Sequence, residues 1–217
     1  MKIGDFVLLD FVGRIAATNE IFDLTDEVLA KRENVYNKEQ KYRPSLVIVG
    51  AKMVVPGVEE EIIKMSAGEE KEFLVKPENG LGQRNPRLIK IISTANFLKQ
   101  NINPAPGIHV TIDNIHAKIQ SVSGGRVRVD FNHPLAGREL FYRIKIVKEL
   151  KEPKEKIEAL LEHYSIKAET RINGETILIE GKTDPATQTM ISETIKKWIK
   201  DIKEVKFNEV PSGTDKI

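Results

Sequence analysis

Cysteine is absent from this 217-residue chain. Its absence excludes a disulfide framework and a thiolate metal site together. Long apolar runs are missing as well. No stretch approaches the ~20 residues that a membrane span needs, and the opening "MKIGDFVLLDF" holds too short an apolar run for a secretory signal. The expectation is a cytoplasmic protein with no membrane contact. Neither sign of charge prevails: 34 Lys and Arg stand against 32 Asp and Glu, for a formal net charge of +2. Interspersed charges of this kind suit a solvated surface and argue against a nucleic-acid partner. Aromatics make up only 6% of the chain, with a single Trp, so the position of each one carries information.

What is present first is alternation. Val7, Leu9 and Phe11 alternate with Leu8, Asp10 and Val12, predicting a strand with one buried face. "EIFDLTDEVLAKRENVYNKEQKYRP" reads as a long flap with one helical turn, and "SLVIVG" as a strand ended by Gly50. "PGVEEEIIKMSAGEE" predicts a helix opened by Pro56-Gly57, with Val58, Ile62 and Met65 at helical spacing and a stop at Gly68. "KEFLVKP" is another strand.

From about Gly82 the text becomes rich in Asn and Pro. Three short strands follow, divided by Asp113-Asn114 and Gly124-Gly125. The earlier style resumes at "ELFYRIKIVKEL", with Leu140, Tyr142, Ile144 and Ile146 on one strand face. Residues 83–131 therefore read as an insertion in a β-rich domain. The knot Asn132-His133-Pro134 is locally a turn, because Asn tolerates left-handed φ and Pro fixes its own.

Residues 151–217 read as a small two-layer domain of order α-β-β-α-β. Its first helix carries Ile157, Leu160, Leu161 and Tyr164 on one side, and a hairpin turns at Asn173-Gly174. Asp184 caps the second helix, Pro185 opens it, and its stripe is Ile191, Ile195, Trp198, Ile199 and Ile202. "EVKFNEV" is the last strand. Two helices and three strands make a marginal core at this size, and the stripe is wide for so small a sheet. These features predict a homodimer joined through the C-terminal domain.

Chemistry-bearing patterns are scarce. His109, His116, His133 and His163 form no close pair and have no clustered carboxylates, so no metal site is expected. Gly80-Leu81-Gly82 lacks the third glycine of a dinucleotide fingerprint, and no cofactor is implied. Phe11, Phe22 and Tyr142 could meet in one core or one pocket, and Phe22-Asp23 sets an apolar anchor beside an acid. In the insertion, Ile89, Ile91, Ile92, Phe97 and Leu98 are either its core or a surface for unfolded chains.

An ordered set of motifs carries a resemblance. "FVG" at Phe11–Gly13, Phe22-Asp23, "VIVGAKMVVPGVEEEIIKMSAGE", "PENGLG" and "DFNHPLAGRELFYRIKIV" together resemble the FKBP-type peptidyl-prolyl isomerases. The Asn-His-Pro-Leu-Ala-Gly knot after a domain-sized insertion is similar to the SlyD-like branch, and the C-terminal extension to long archaeal members. The resemblance implies an α+β fold: an FKBP half-barrel antiparallel sheet around a short helix (residues 1–82 and 132–150), a β-rich insert-in-flap chaperone domain (83–131) and the small C-terminal α/β domain (151–217).

It also implies isomerisation of X-Pro bonds in unfolded or partly folded polypeptides. Phe22, Asp23 and Tyr142 would be catalytic, and Phe11, Val54, Val55, Val58 and Leu81 would bind substrate. Phe11 and Leu81 stand where many members have Tyr, and Val58 where many have Trp. The His-rich tail of SlyD-like proteins is missing, so nickel handling is not implied. A rival reading is a holdase chaperone with a weak or inactive pocket, for which Leu81 and Val58 speak.

Overall fold

The computed structural model describes residues 1–208. In chain order the elements begin with β1 (Phe6–Ile15), β2 (Ile21–Leu24), α1 (Glu27–Arg32), β3 (Ser45–Ile48), α2 (Pro56–Lys64) and β4 (Glu70–Val75). Then come β5 (Ile89–Ser93), α3 (Thr94–Leu98), β6 (His109–Ile112), β7 (Ile115–Ser123) and β8 (Arg126–Asp130). The chain closes with β9 (Leu140–Leu150), α4 (Pro153–His163), β10 (Glu169–Asn173), β11 (Thr176–Glu180), α5 (Pro185–Trp198) and β12 (Glu204–Asn208). The last two residues of the predicted final strand, Glu209 and Val210, and the polar tail after them lie outside the described residues.

The result is a mixed fold with few helices and three sheets. The largest has the order β2-β1-β9-β4, with β3 joined to the same edge of β1 further along. All its pairings are antiparallel. Strands β1 and β9 register from Phe6 opposite Leu150 to Ile15 opposite Leu140, with one bulge between Leu8 and Leu9. Side chains alternate across a strand, and here both faces are used. Val7 and Leu9 join Leu140, Tyr142, Ile144 and Ile146 against Val58 and Ile62 of α2 and Met65 just beyond it. That helix stops at Lys64, before the expected Gly68, because Met65 is already extended and its side chain is buried in this core. Gly68, at φ +85°, instead makes the turn into β4.

Phe6, Leu46, Ile48 and Leu150 face the other way. They join Ile157, Leu160 and Leu161 of α4, Ile177 and Ile179 of β11, and Ile191, Ile195, Ile199 and Ile202 in one continuous core. This corrects the reasoning behind a homodimer. The stripe that looked too wide for its own sheet is covered within the chain, with Ile191 and Ile195 fully buried and Trp198 partly so. Helix α5 packs on β12 and α4, and α4 in turn packs on β3 of the large sheet, so the stripe is covered by its own unit within the shared core.

Between β4 and β9 the order β5-β8-β7-β6 forms a separate four-stranded antiparallel sheet. Its two expected turns are there. Ile112 pairs with Ile115 around Asp113 (φ 50°) and Asn114 (φ 62°), and Ser123 with Arg126 around Gly124 and Gly125. Positive φ at both central residues is the type I′ geometry that matches strand twist. The strand β5 was not anticipated, because Pro86 and the Asn-rich flanks mask a short apolar run. Phe97 is 3% exposed and packs with Val110, Ile119, Val127 and Val129. It belongs to the core of this module and not to its surface.

The C-terminal hairpin turns one residue later than expected. Asn173 pairs with Thr176, leaving Gly174 (φ 61°) and Glu175 in the loop. This register sets Ile172 opposite Ile177, where a turn on Asn173-Gly174 would have placed Glu175.

The Asn-His-Pro knot is a clamp at the crossing point of the inserted module. The Asn132 side-chain amide donates to the Asn85 carbonyl at 3.0 Å, and its oxygen accepts from the Asn85 N–H at 2.8 Å. Asp130, 4% exposed, accepts from Gln120 and from the Asn132 N–H and pairs with Arg84. The Gly137 N–H then donates to Gly82 O at 2.8 Å. Entry and exit strands are thereby tied together.

A shared core has a measurable consequence. Phe6→Ala removes a ring that α4 and the large sheet both bury, and it should destabilise the chain by about 3–5 kcal/mol. In denaturant, near-ultraviolet signals from Trp198 and from Tyr142 of the large sheet should move together in one transition. Separate midpoints would show that the C-terminal segment folds independently of the sheet.

Candidate functional site

The site begins with an absent side chain. Gly13 of β1 lies between Asp23 of β2 on one side and Tyr142 of β9 on the other. The Phe22 ring folds across it so closely that a Cβ on Gly13 would sit 2.5 Å from Phe22 Cζ. Phe22 meets Tyr142 edge to face at 5.7 Å, and Tyr142 stacks on Phe73 at 6.1 Å. Three strands thus present an aromatic corner with one carboxylate beside it.

Helix α2 closes the opposite side. Gly57 allows it to approach β4, since a Cβ there would meet Val75 Cγ1 at 2.8 Å. Val58, 2% exposed, forms the floor. Val55 is the N-cap residue in extended conformation, and its N–H has no protein acceptor among the described residues. The N-terminal end of a helix carries such free donors and a partial positive charge.

These elements enclose a cavity of ≈ 760 Å³ lined by all eight expected pocket residues: Phe11, Phe22, Asp23, Val54, Val55, Val58, Leu81 and Tyr142. Leu81 sits at the rim, 36% exposed. Sequence reasoning missed other lining residues. Lys52 and Met53 come from the turn before α2, His133 and Leu135 from the clamp, and His163 and Tyr164 from the end of α4. The first two could have been found by extending the pocket motif backwards. The last two could not, because nothing local marks a helix end as facing a cleft built from other elements.

Asp23 is the only carboxylate among the described residues lining this cavity. Partial burial pushes its pKa above the ordinary value, with a backbone hydrogen bond at Leu24 opposing. Burial, and then the Asp23 charge, push Tyr142 up to about 12, so its hydroxyl stays protonated at neutral pH. The site is a largely apolar box with one acid, one free backbone N–H and two phenols, those of Tyr142 and Tyr164. It can hold a small apolar ring and a neighbouring peptide group.

The expected client surface on the inserted module divides. Ile91 and Leu98 are 69% and 57% exposed, Ile89 and Ile92 are intermediate, and Phe97 is internal. Leu88, Ile108 and Ile115 are exposed too and were not singled out from the sequence. Among the described residues no group of His, Asp or Glu is arranged to hold a metal, and no helix is long and apolar enough to cross a membrane.

Comparison with known proteins meets this geometry. The family profile for the FKBP-type peptidyl-prolyl cis-trans isomerase matches residues 1–98, and that for the FKBP26 IF domain matches residues 90–135. A short-type peptidyl-prolyl cis-trans isomerase of Methanocaldococcus jannaschii is 37% identical over 146 residues, covering 67% of this chain and 92% of its own. A probable FKBP-type 16 kDa isomerase of Pseudomonas fluorescens is 30% identical over 48% of this chain and 71% of its own length. The FKBP-type isomerase SlyD of Helicobacter pylori is 33% identical over 48% of this chain and 58% of its own. With the aromatic corner, the apolar cavity and these matches in agreement, the chain belongs to the FKBP-type peptidyl-prolyl cis-trans isomerases.

Proposed function

We propose that the cavity bounded by β1, β2, β9 and α2 isomerises X-Pro bonds in unfolded or partly folded polypeptides, and that the inserted module delivers such clients as a chaperone. The division that supports this is 1–82 with 132–150 for catalysis, 83–131 for client capture and 151–217 as the C-terminal unit. The observation that carries the reading is the convergence of Phe22, Asp23 and Tyr142 with five apolar residues on one cavity.

The uncatalysed barrier is amide resonance, ~18–20 kcal/mol. At the transition state the C–N bond is twisted, conjugation is lost and the group is less dipolar. An apolar box favours that form relative to water. Phe22, Val54, Val55 and Tyr142 grip the prolyl ring over the Val58 floor. The Val55 N–H holds a client carbonyl, and Asp23 shapes the field on the twisting amide. Interactions stronger in the transition state than in the ground state raise the rate. A reduction of ~4 kcal/mol gives about a thousandfold acceleration. A homodimer through residues 151–217 stays a proposal, supported by the small size of that unit and not by the stripe, which is buried within the chain.

Gly13→Ala should displace the Phe22 ring and lower kcat/KM in a proline-peptide exchange assay about tenfold, ~1.4 kcal/mol of transition-state stabilisation. Circular dichroism should stay unchanged. Full activity in the folded variant would place the chemistry elsewhere.

Asp23 gives a pH signature. Its pKa is higher folded than unfolded, so the folded state binds the proton more tightly. Its contribution to stability is full below the unfolded value and is lost as pH rises through the folded one. At pH 7 Asp23→Asn should therefore melt no lower than the parent chain while isomerising more slowly. The parent's kcat/KM should fall on acidification with a midpoint above 3.8, the ordinary value. A variant with parental activity and the same acid limb removes Asp23 from the mechanism.

The chaperone reading predicts a split. Ile91→Asp combined with Leu98→Asp should leave short-peptide isomerisation intact while slowing proline-limited refolding of a whole protein about tenfold. Equal loss of both activities would mean that the module merely supports the pocket.

A further inference from the structure

The prolyl cavity does not end at Tyr142. A second groove of ≈ 410 Å³ shares Phe11, Asp23, Ser45, Leu46 and His163 with it, so the two are continuous. One wall of this groove is the flap segment Glu39–Leu46, and the other is the last turn of α4, with Ala159, Glu162, His163 and Ser165. The walls are fastened together. The Arg43 guanidinium donates to the Glu162 carbonyl at 2.8 Å and pairs with its carboxylate. Lys41 Nζ reaches Ser165 Oγ at 3.5 Å. Beneath them Leu46 joins Leu160 and Leu161 in the shared core. His163 meets Tyr164 edge to face at 5.0 Å, and Tyr164 lines the prolyl cavity.

We propose that the C-terminal unit completes the substrate cleft, and that the groove between the flap and the end of α4 holds the stretch of client chain flanking the proline on one side. This rests on the proposed function only in that the prolyl cavity holds the client's proline. The occupant follows from that continuity: a chain whose proline fills the cavity must leave it, and this groove opens from its lining. The groove also mixes charges. Glu39, Lys41, Arg43 and Glu162 line it together, with the Arg43 charge already paired, so it suits peptide backbone and polar side chains better than a strongly charged ligand.

The full chain should be titrated by NMR with a short proline peptide, then with peptides extended by several residues on the amino or the carboxyl side. Extension on one side should tighten binding about fivefold, ~1 kcal/mol, and move the amides of Lys41, Glu162 and Ser165. The gain should disappear in Ala159→Trp, which fills the groove, and in His163→Ala, whose exposed side chain can be removed with little risk to folding. Extension without gain on either side, or a gain that survives both variants, overturns the proposal. Binding is the readout, so the outcome does not depend on turnover. A short peptide that binds but is not isomerised would fail the catalytic reading and leave this one standing.

Discussion

The antiparallel ladder between β1 and β9 is the constraint on which the rest depends. It is the longest pairing in the molecule and is buried on both faces. Strict alternation sends Val7 and Leu9 toward α2 and Phe6 and Leu8 toward α4. A one-residue slip would exchange the two sets and unmake two cores at once. The same register places Gly13 between Asp23 and Tyr142, so the geometry of the pocket and the docking of the C-terminal unit are set by one set of hydrogen bonds.

Small residues then make the site. Gly13 and Gly57 carry no Cβ where one would collide with Phe22 and with Val75. Their absence of side chain lets an aromatic ring and a helix approach the sheet closely enough to bound a cavity between them. The pocket keeps its width because Val58 is short at the floor and Leu81 stands back at the rim. Asp23 is its one carboxylate among the described residues and retains partial access to water. An apolar interior with a single acid at its edge suits a reaction whose transition state is less dipolar than its ground state.

The two additional units are joined to this sheet by different physics. The inserted module is attached at a polar clamp, in which Asn132, Asn85, Asp130 and Arg84 satisfy one another. Its own core is separate. The C-terminal unit is attached by apolar burial, sharing Phe6, Leu46, Ile48 and Leu150 with the sheet. The polar clamp leaves the inserted module with a core of its own. A shared core suits a unit held in a fixed position beside the cleft.

Much of this was legible in the sequence, because it is governed by short-range rules. Alternation located β1 and β9, Pro56 and Pro185 opened their helices, and Asp113-Asn114 and Gly124-Gly125 made the turns expected of them. The eight pocket residues were read from ordered motifs, and they line one cavity. What the sequence could not determine is where each apolar face finds its partner. The stripe through Ile191 and Ile195 signals that it must be covered, but hydrophobic burial is non-directional and does not say by what. Only the tertiary structure decided that α4 and the C-terminal sheet cover it, with α4 carrying the core on to the large sheet. The same holds for Phe97, for which core and surface were both open and which is internal, and for His163 and Tyr164. Their place on the cleft depends on the angle at which α4 packs and on no pattern of their own.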